Sequence, residues 1–394
     1  MEGDMIKIRE WLLPLSWLYG LGVRLRNYLF EIGILKSRSF KIPVISVGNI
    51  TVGGSGKTPH VEYLIRLLSS QVKTAVLSRG YKRKSKGYVL ANAHTTMREL
   101  GDEPFQMKQK FDNIYVAVDK DRCHGIEQLT TNTETKDVDV IVLDDAFQHR
   151  YVKPGINILL VDYHRLIIYD KLLPAGNLRE PLNGKDRADI VIVTKCPKNL
   201  KPMEYRVLIK ALNLFPYQDL FFTTLKYDDL KPVFQESDGN YALSLKHLPK
   251  KAEILLLTGI ASPKQMLQDI KPYCKKITPL SFADHHFYSK KDTEHINNTF
   301  AAMHEPKLII TTEKDAARLQ LAEGLSSEVR NRLYVLPIQV TFMLDQADLF
   351  NTKILSYVQK NSRNSILAKR KDDNKPRNSH HTGDRPRTIS FRDN

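Results

Sequence analysis

The sequence is poor in cysteine and contains no long apolar run. Its three cysteines, Cys123, Cys196 and Cys274, lie far apart in a chain of 394 residues and form no Cys-x-x-Cys pair. That spacing argues against a disulfide framework and against a structural zinc site, and it fits a reducing compartment. No segment has the roughly 18 consecutive apolar residues of a membrane-spanning helix.

The N-terminus also lacks the features of a secretory signal peptide. The apolar stretch of residues 11–23 is followed by its basic residues, Arg24 and Arg26, and no small-residue cleavage site comes after it. The stretch contains both tryptophans of the chain. Two interpretations stay open, namely a helix lying among lipid headgroups and a helix packed on the protein core. We assign residues 1–40 to an N-terminal amphipathic, membrane-associating segment.

Basic residues outnumber acidic ones. The 60 Lys and Arg and the 44 Asp and Glu give a formal net charge of +16. Nucleotide phosphates, anionic lipid and nucleic acid would all be attracted by such a chain. The aromatic runs of RNA-binding modules are absent, so we expect no nucleic-acid partner. Nothing in the sequence indicates an obligate protein partner.

Short apolar runs rich in Val and Ile recur through the first half of the chain, with amphipathic stretches between several of them. Runs of this kind without alternation are typical of strands buried on both faces. They predict an α/β fold, a doubly wound parallel sheet of the P-loop NTPase type. The predicted strands are 42–47, 74–77, 114–118, 138–143, 156–161 and 190–193.

A second series of strands predicts a smaller α/β domain. Its apolar runs are 254–257, 277–282, 308–311 and 334–340. We predict a boundary where Phe215-Pro216 interrupts the chain. The polar, basic C-terminus has the composition of a disordered tail. The predicted domains are 41–217 for the P-loop unit and 218–358 for the smaller unit, with a disordered basic tail at 359–394.

The most informative motif is the glycine-rich segment from Gly48 to Thr58, Gly-Asn-Ile-Thr-Val-Gly-Gly-Ser-Gly-Lys-Thr, between a predicted strand and a predicted helix. This is the context of a phosphate-binding loop. Lys57 would reach the β- and γ-phosphates and the Thr58 hydroxyl would bind Mg²⁺. The strict pattern begins with Gly, where this chain has Thr51. The predicted nucleotide-binding residues of this loop are Thr51, Gly53, Gly54, Ser55, Gly56, Lys57 and Thr58.

Two acidic residues follow the predicted strand 138–143 directly. Asp144 and Asp145 stand where P-loop proteins place the carboxylate of the Mg²⁺ shell, although Asp145 could instead cap the next helix. Recognition of guanine usually requires an Asn/Thr-Lys-x-Asp run after a late strand. The corresponding segment here is Thr194-Lys195-Cys196-Pro197, which has Pro in place of the Asp that reads the base. ATP is therefore favoured over GTP.

Three further clusters are less specific when taken alone. Gly101-Asp102-Glu103-Pro104 could be a helix start, and Asp284-His285-His286 could be a solvated loop. The segment 173–181 has the composition of an ordered loop in which Arg179 could contact phosphate. None of the three identifies a substrate.

Taken together, these motifs resemble the tetraacyldisaccharide 4'-kinase (lipid A 4'-kinase) family from about residue 10 to 345. The P-loop is shared by many families, but the ordered set is specific. Ala146 departs from the family pattern, which often has Gly there. The set is Gly48-Asn49-x-Thr51-x-Gly53-Gly54-x-Gly56-Lys57-Thr58-Pro59, Ser78-Arg79-Gly80-Tyr81, Gly101-Asp102-Glu103-Pro104, Asp144-Asp145-x-x-Gln148-His149, the 173–181 loop, Gly259-Ile260-Ala261-x-Pro263, Asp284-His285-His286 and Thr312-Glu313-Lys314-Asp315.

The resemblance implies a reaction. Such enzymes transfer the γ-phosphate of ATP to the 4'-hydroxyl of a tetraacylated glucosamine disaccharide 1-phosphate and form lipid IVA in lipid A (lipopolysaccharide) biosynthesis. They work peripherally at the cytoplasmic face of the bacterial inner membrane, so the partners implied are the lipid A disaccharide 1-phosphate and the membrane surface.

The resemblance also implies roles for individual residues. Asp102 would be the catalytic base with His285 as its partner, His286 being the less favoured alternative, and Lys57 would complete the catalytic set. Glu103 would join Thr58, Asp144 and Asp145 around Mg²⁺, while Arg179 and Glu180 would line the ATP site. The alternatives are a P-loop ATPase or kinase acting on a soluble small molecule, and an ATP-dependent switch without enzymatic function.

Overall fold

The computed structural model describes residues 8–234, 242–260 and 263–373, with side chains described up to residue 361. Within these ranges the chain forms fourteen strands. In chain order they are β1 Val44–Gly48, β2 Thr74–Ser78, β3 Val89–Leu90, β4 Tyr115–Val118, β5 Val140–Asp144, β6 Ile156–Asp162, β7 Ile190–Thr194, β8 Asp219–Tyr227, β9 Lys231–Pro232, β10 Glu253–Thr258, β11 Lys276–Ser281, β12 Lys307–Thr311, β13 Leu333–Val335 and β14 Ile338–Phe342.

Eleven α-helices are interspersed with these strands in the described ranges. They are α1 Leu13–Glu31, α2 Lys57–Ser69, α3 Met97–Leu100, α4 Asp102–Lys110, α5 Arg122–Thr131, α6 Pro202–Leu212, α7 Lys264–Ile270, α8 Lys290–Ala301, α9 Glu313–Leu319, α10 Ser327–Arg332 and α11 Ala347–Asp373.

Nine strands form one large sheet in the order β14-β8-β7-β6-β1-β5-β2-β4-β3. The strands from β8 to β4 pair in parallel, and β14 and β3 add antiparallel edges. Side chains of β1 alternate between two cores, because Ile45 and Val47 join a cluster with α2 and α11 whereas Val44 joins one with α5. The predicted doubly wound sheet with helices on both faces is confirmed.

The second unit is a five-stranded sheet in the order β11-β10-β12-β13-β9. Helix α7 packs on one face, and α8, α9 and α10 pack on the other. The chain enters this unit after β8 and returns to the large sheet at β14. Two chain segments therefore join the two units.

The membership of the sheets differs from the predicted division at residue 217. Strand β8 pairs with β7 in the large sheet, and β14 pairs with β8. The apolar run 334–340, predicted as one strand, is divided between β13 and β14 in different sheets. Pro337 stands at the break, where a residue without a backbone N–H ends a ladder. The strands of the small unit thus lie between residues 231 and 335, and β14 and α11 belong to the large unit.

The helical C-terminus also differs from the prediction. Helix α11 continues to Asp373, so the predicted disordered tail begins too early at residue 359. Phe350, Ile354 and Val358 of this helix are buried against the large sheet, which explains why its first part is ordered. The rest of the predicted tail, 374–394, lies outside the described residues, as do the first seven residues of the predicted N-terminal segment.

Helix α1 is packed on one side and exposed on the other. Ser16, Gly20 and Phe30 are buried, and the Ser16 hydroxyl donates to Leu172 O at 2.9 Å. Trp17 is 77% exposed and Leu18 is 69% exposed. The helix is therefore docked on the protein, as one of the two interpretations expects, and it also presents an apolar surface, while its contact with lipid headgroups stays a prediction. Among the described helices, none combines the length and apolar character needed to cross a bilayer.

Candidate active site

The glycine-rich loop connects β1 to α2 at the carboxyl edge of the large sheet. Gly53 and Gly56 adopt positive φ values of 110° and 82°, and Gly56 precedes the first residue of α2. Such angles suit glycine and turn successive backbone N–H groups toward one side. With the helix N-terminus behind it, the loop has the form of a phosphate cradle, as predicted from the motif.

Side chains from neighbouring strands fix the shape of this loop. Lys195 ion-pairs with Asp162 at 2.7 Å and donates to Gly54 O, and the Thr194 hydroxyl donates to Ser55 O at 3.0 Å. The Thr194-Lys195 pair considered for base recognition therefore contacts the phosphate loop itself. The predicted Thr51 also takes part, because the Asn49 amide donates to its hydroxyl at 3.3 Å.

His60 is a residue of this region that the sequence did not single out. Its Nδ1 lies 2.7 Å from Gly56 O and its Nε2 lies 3.0 Å from the Thr223 hydroxyl. Burial lowers the pKa of His60 to about 4, so the ring is neutral near pH 7. A carbonyl only accepts, which places the hydrogen on Nδ1 and leaves Nε2 to accept from Thr223.

The 173–181 loop lies directly against the phosphate loop. Val52 N donates to Asn177 O and Arg179 N donates to Ile50 O, both at 2.8 Å. The Arg179 guanidinium lies 3.5 Å from Asp145, next to the predicted nucleotide site. Glu180 instead points inward and pairs with Arg187 at 2.7 Å. Glu180 therefore supports the loop, and its predicted contact with nucleotide stays a prediction.

Lys57 and three carboxylates form the centre of the site. Lys57 Nζ lies 3.2 Å from Asp145 Oδ1. Burial and the neighbouring charges of Glu103 and Asp145 raise the pKa of Asp144 to about 7. Burial also acts against ionisation of Asp145, but Lys57 and Arg179 hold its pKa below the ordinary value. The structure thus brings together the predicted residues Lys57, Asp144, Asp145 and Glu103.

These residues fit a divalent cation. Asp144 Oδ2 accepts from the Ser78 hydroxyl at 3.0 Å, while its buried Oδ1 has no hydrogen-bond partner among the described residues. Carboxylate and hydroxyl oxygens are the ligands that Mg²⁺ prefers. Thr58, also predicted as a ligand, is buried at the first turn of α2. An orphaned carboxylate oxygen among like charges is what a bound cation would satisfy.

A second cluster is less suited to a metal. Ligand atoms of Asp121, Cys123 and His149 lie within 4.8 Å of one another. Burial raises the pKa of the Cys123 thiol, which disfavours the thiolate that binds metals. Burial and the nearby charge of Arg122 lower the pKa of His149 to about 4. The positive charge of Arg122 close to this cluster disfavours a bound cation.

Glu103 connects the two units. It pairs with Lys314 at the start of α9. Burial alone would raise the pKa of Glu103, but Lys314 and Lys57 hold it below the ordinary value. Lys110, on the same helix as Glu103, pairs with the buried Glu62 of α2 at 2.6 Å and with Glu313 of α9. Helix α4 is therefore tied to the P-loop helix and to the second unit.

Asp102 and His285 meet across the same boundary. His285 Nδ1 lies 2.8 Å from Asp102 Oδ2. Burial opposes ionisation, but this hydrogen bond and the Arg318 guanidinium hold the pKa of Asp102 below its ordinary value. Since an ionised carboxylate only accepts, Nδ1 carries the hydrogen. Residues 183 positions apart in the chain thus form one pair.

The adjacent histidine has a different partner. His286 Nε2 bonds to Asp292 at 3.0 Å, and its ring stacks on Phe282 with centroids 5.0 Å apart. His285 has a positive φ of 62°, and the side chains of the two histidines reach different partners. The contact with Asp102 therefore belongs to His285, the residue favoured from the sequence.

The chain is similar to known proteins over most of its length. Residues 8–359 match the family model described as tetraacyldisaccharide-1-P 4'-kinase, LpxK. A Phocaeicola vulgatus protein named tetraacyldisaccharide 4'-kinase is 61% identical over 93% of this chain and 99% of its own length. A protein of the same name from Bacteroides thetaiotaomicron is 52% identical over 94% of this chain and 99% of its own length.

A solved structure is also similar. It is LpxK from Aquifex aeolicus, described as an apo form in complex with ATP. It is 30% identical, covers 89% of this chain and 99% of its own, and has a TM-score of 0.67. With the P-loop, the carboxylate cluster and the Asp102–His285 pair in one site, the chain belongs to the tetraacyldisaccharide-1-phosphate 4'-kinase family.

Proposed function

We propose that this kinase transfers the γ-phosphate of ATP to the 4'-hydroxyl of a tetraacylated glucosamine disaccharide 1-phosphate at a membrane surface. One observation carries the proposal. Asp102, which is paired with His285, is followed directly in the chain by Glu103. The positive charge of Lys57 is close enough to Glu103 to contribute to the lowering of its pKa. A candidate base thus stands beside the phosphate-binding lysine, as a transfer from nucleotide to hydroxyl requires.

The nucleotide phosphates are assigned to the loop between β1 and α2. Backbone N–H groups of 53–58 and the N-terminus of α2 supply a positive field without a mobile side chain. Lys57 adds a full charge at the β- and γ-phosphates. Asp145 Oδ1 lies 3.2 Å from Lys57 Nζ and keeps this largely buried ammonium group in place.

Asp102 is assigned as the base. Three hydrogen bonds from described residues end on its Oδ2, one from His285 and two from Arg318. The other oxygen, Oδ1, is left to accept the proton of the acceptor hydroxyl. Because phosphoryl transfer has a loose transition state, the orientation of this hydroxyl matters more than its early deprotonation.

Thr58, Asp144, Asp145 and Glu103 are assigned to Mg²⁺. The unpaired Oδ1 of Asp144 supports this assignment. When bound, the ion would neutralise charge on the β- and γ-phosphates. Two neighbouring side chains orient these carboxylates, because Arg179 contacts Asp145 and the Ser78 hydroxyl donates to Asp144.

Helix α1 is assigned as a membrane contact beside the acceptor site. Its exposed side includes Trp17 and Leu18, and Trp11 is exposed in the short turn just before the helix, so that together they form an apolar surface suited to headgroup depth. Its packed side reaches the active site, because the Tyr19 hydroxyl donates to Arg179 O at 2.7 Å. A lipid with four acyl chains leaves the bilayer only at high cost, since each buried CH₂ contributes about 0.8 kcal/mol. The enzyme must therefore meet it at the surface, here taken to be the cytoplasmic face of the inner membrane.

Basic residues between α1 and the carboxylates suit an anionic acceptor. Burial is the main cause of the lowered pKa of His149, and the positive charges of Arg122, Arg26 and Arg79 add to it against the opposing charge of Asp121. Arg26 of α1 donates to Gln148 O at 3.4 Å, in the segment that follows Asp145. The positive potential thus extends from the membrane helix to the site, where a phosphorylated headgroup would approach.

The direct test is a kinase assay with γ-labelled ATP and the lipid disaccharide 1-phosphate in mixed micelles. We expect label in the lipid fraction, at a rate that depends on the mole fraction of lipid in the micelle. Equal labelling of a deacylated, soluble disaccharide would favour the soluble-substrate alternative. ATP hydrolysis without label in either acceptor would favour the switch.

The membrane assignment predicts the effect of a triple substitution. Leu18, Leu21 and Leu25 are exposed and lie three and four positions apart, on one side of α1. Changing all three to Ser should release the protein from anionic vesicles in a flotation assay. It should also raise the apparent KM for lipid at least about tenfold, with little change in the KM for ATP.

A matched control is available on α6. Its exposed residues Met203, Val207 and Ile209, changed to Ser together, should leave vesicle binding as in the wild type. If the α1 variant is folded and floats with vesicles as well as the wild type does, the membrane assignment of α1 is wrong.

A further inference from the structure

Arg318 is the largest of the fully buried side chains in the described part of the chain. It lies on α9 in the small unit, and its side chain has no exposed surface. Burying a guanidinium group is costly unless nearly all of its donors are satisfied by fixed acceptors. The acceptors around Arg318 are therefore what offsets this cost.

Contacts within the small unit fix the orientation of Arg318. Its Nη1 donates to Asp315 Oδ1 at 3.1 Å and lies 3.4 Å from Gly259 O. Asp315 is itself fully buried and accepts from Gly259 N at 2.8 Å and from the Thr312 hydroxyl at 2.7 Å. The strand and helix ends of the small unit thus hold the Nη1 end of the guanidinium group.

The remaining donors of Arg318 cross to the large unit. Nη2 and Nε both donate to Asp102 Oδ2, at 2.5 and 3.2 Å. His285, also on the small unit, donates to the same oxygen. Every side-chain partner that the described structure gives to Asp102 therefore comes from the small unit. The large unit by itself leaves this carboxylate without the contacts that orient it.

We propose that Arg318 is a positioning residue for phosphoryl transfer, and that it aims Asp102 only when the small unit is docked on the large one. This inference rests on the proposed role of Asp102 as the base. With Oδ2 held by Arg318 and His285, Oδ1 faces the acceptor. Without the guanidinium, His285 alone holds the carboxylate and its plane can rotate. Arg318 acts through Asp102 and touches neither ATP nor acceptor.

The test compares Arg318→Met, which keeps the length but removes the charge and donors, with Arg318→Lys, which keeps one charged donor. We expect kcat to fall about 10- to 100-fold in Arg318→Met, the loss typical of a misoriented reacting group. The KM for ATP should stay within about twofold, because no contact to the P-loop is lost. Arg318→Lys should recover part of kcat. Arg332→Met, at an exposed ion pair with Glu305 in the same unit, is the matched control and should behave as the wild type.

A double-mutant cycle separates positioning from a structural role. In an Asp102→Asn background, Arg318→Met should cause less than about a twofold further loss of kcat, because its target is already disabled. An equal loss in both backgrounds, unchanged kcat in Arg318→Met, or failure of both Arg318 variants to fold would overturn the positioning role. Wild-type kcat in Asp102→Asn itself would instead overturn the proposed base.

Discussion

Lys57→Ala should reduce phosphoryl transfer to less than about 10⁻³ of the wild-type rate. Lys57 is proposed to be the fixed positive charge at the β- and γ-phosphates, and a thousandfold loss corresponds to about 4 kcal/mol of transition-state stabilisation. Its ion pair with Asp145 is replaceable, since Arg179 also contacts that carboxylate. We therefore expect the thermal unfolding midpoint to change little. The measurement is the initial rate with labelled ATP at saturating nucleotide.

The control for Lys57→Ala is another lysine of comparable chemistry. Lys276 is exposed on the small unit and pairs loosely with Glu253 at 3.6 Å. Lys276→Ala should keep the wild-type rate. Near-normal turnover of Lys57→Ala at saturating ATP would show that the loop between β1 and α2 does not bind the transferred phosphate.

Asp102→Asn should lower kcat by about 10²-fold or more and change the affinity for ATP far less. An amide cannot accept the proton of the acceptor hydroxyl, whereas the residues that contact ATP are unchanged. Asparagine is preferred to alanine because it leaves an oxygen for the buried Arg318 guanidinium. Removing one partner of a buried ion pair entirely costs about 3–5 kcal/mol of stability. Single-turnover rates with preformed enzyme–ATP complex measure this effect.

The partner of Asp102 gives a second readout. His285→Ala should lower kcat less than Asp102→Asn does, because Arg318 still orients the carboxylate. The double variant should lose less than the product of the two single losses. His286→Ala is the natural control, since this neighbour bonds to Asp292. Independent, multiplicative losses for Asp102 and His285 would contradict a functional pair.

The buried strands were predictable because their chemistry is local. Both β5 and β7 are buried along their whole length. A short uninterrupted run of Val and Ile is typical of a parallel strand that is covered on both faces. The edge strands β3 and β9 have only two residues each and were not predicted. Whether such a short segment pairs as an edge strand depends on the strand beside it in the folded protein, and no local sequence pattern encodes that neighbour.

The P-loop and the Asp144-Asp145 pair were also predictable, because each is a contiguous motif at a strand end. His60 and Arg318 were not. A histidine or arginine within a helix has the same local sequence pattern whether it faces solvent or is fully buried, and burial is decided by elements far away in the chain. For Arg318, its position three residues after Asp315 in α9 was a usable signal, since residues so spaced share one side of a helix.

The sequence by itself determined the α/β class, the phosphate loop, the carboxylates at the end of β5 and, through its ordered motifs, the family. Only the tertiary structure decided where the units divide, that His285 rather than His286 reaches Asp102, and that Arg318 joins them. The physical reason is the separation along the chain of the residues that interact. A motif specifies backbone geometry over a few residues, whereas the contact of Asp102 with His285 and Arg318 spans 183 and 216 positions of the chain. Such contacts exist only once the two sheets and their helices have packed against each other.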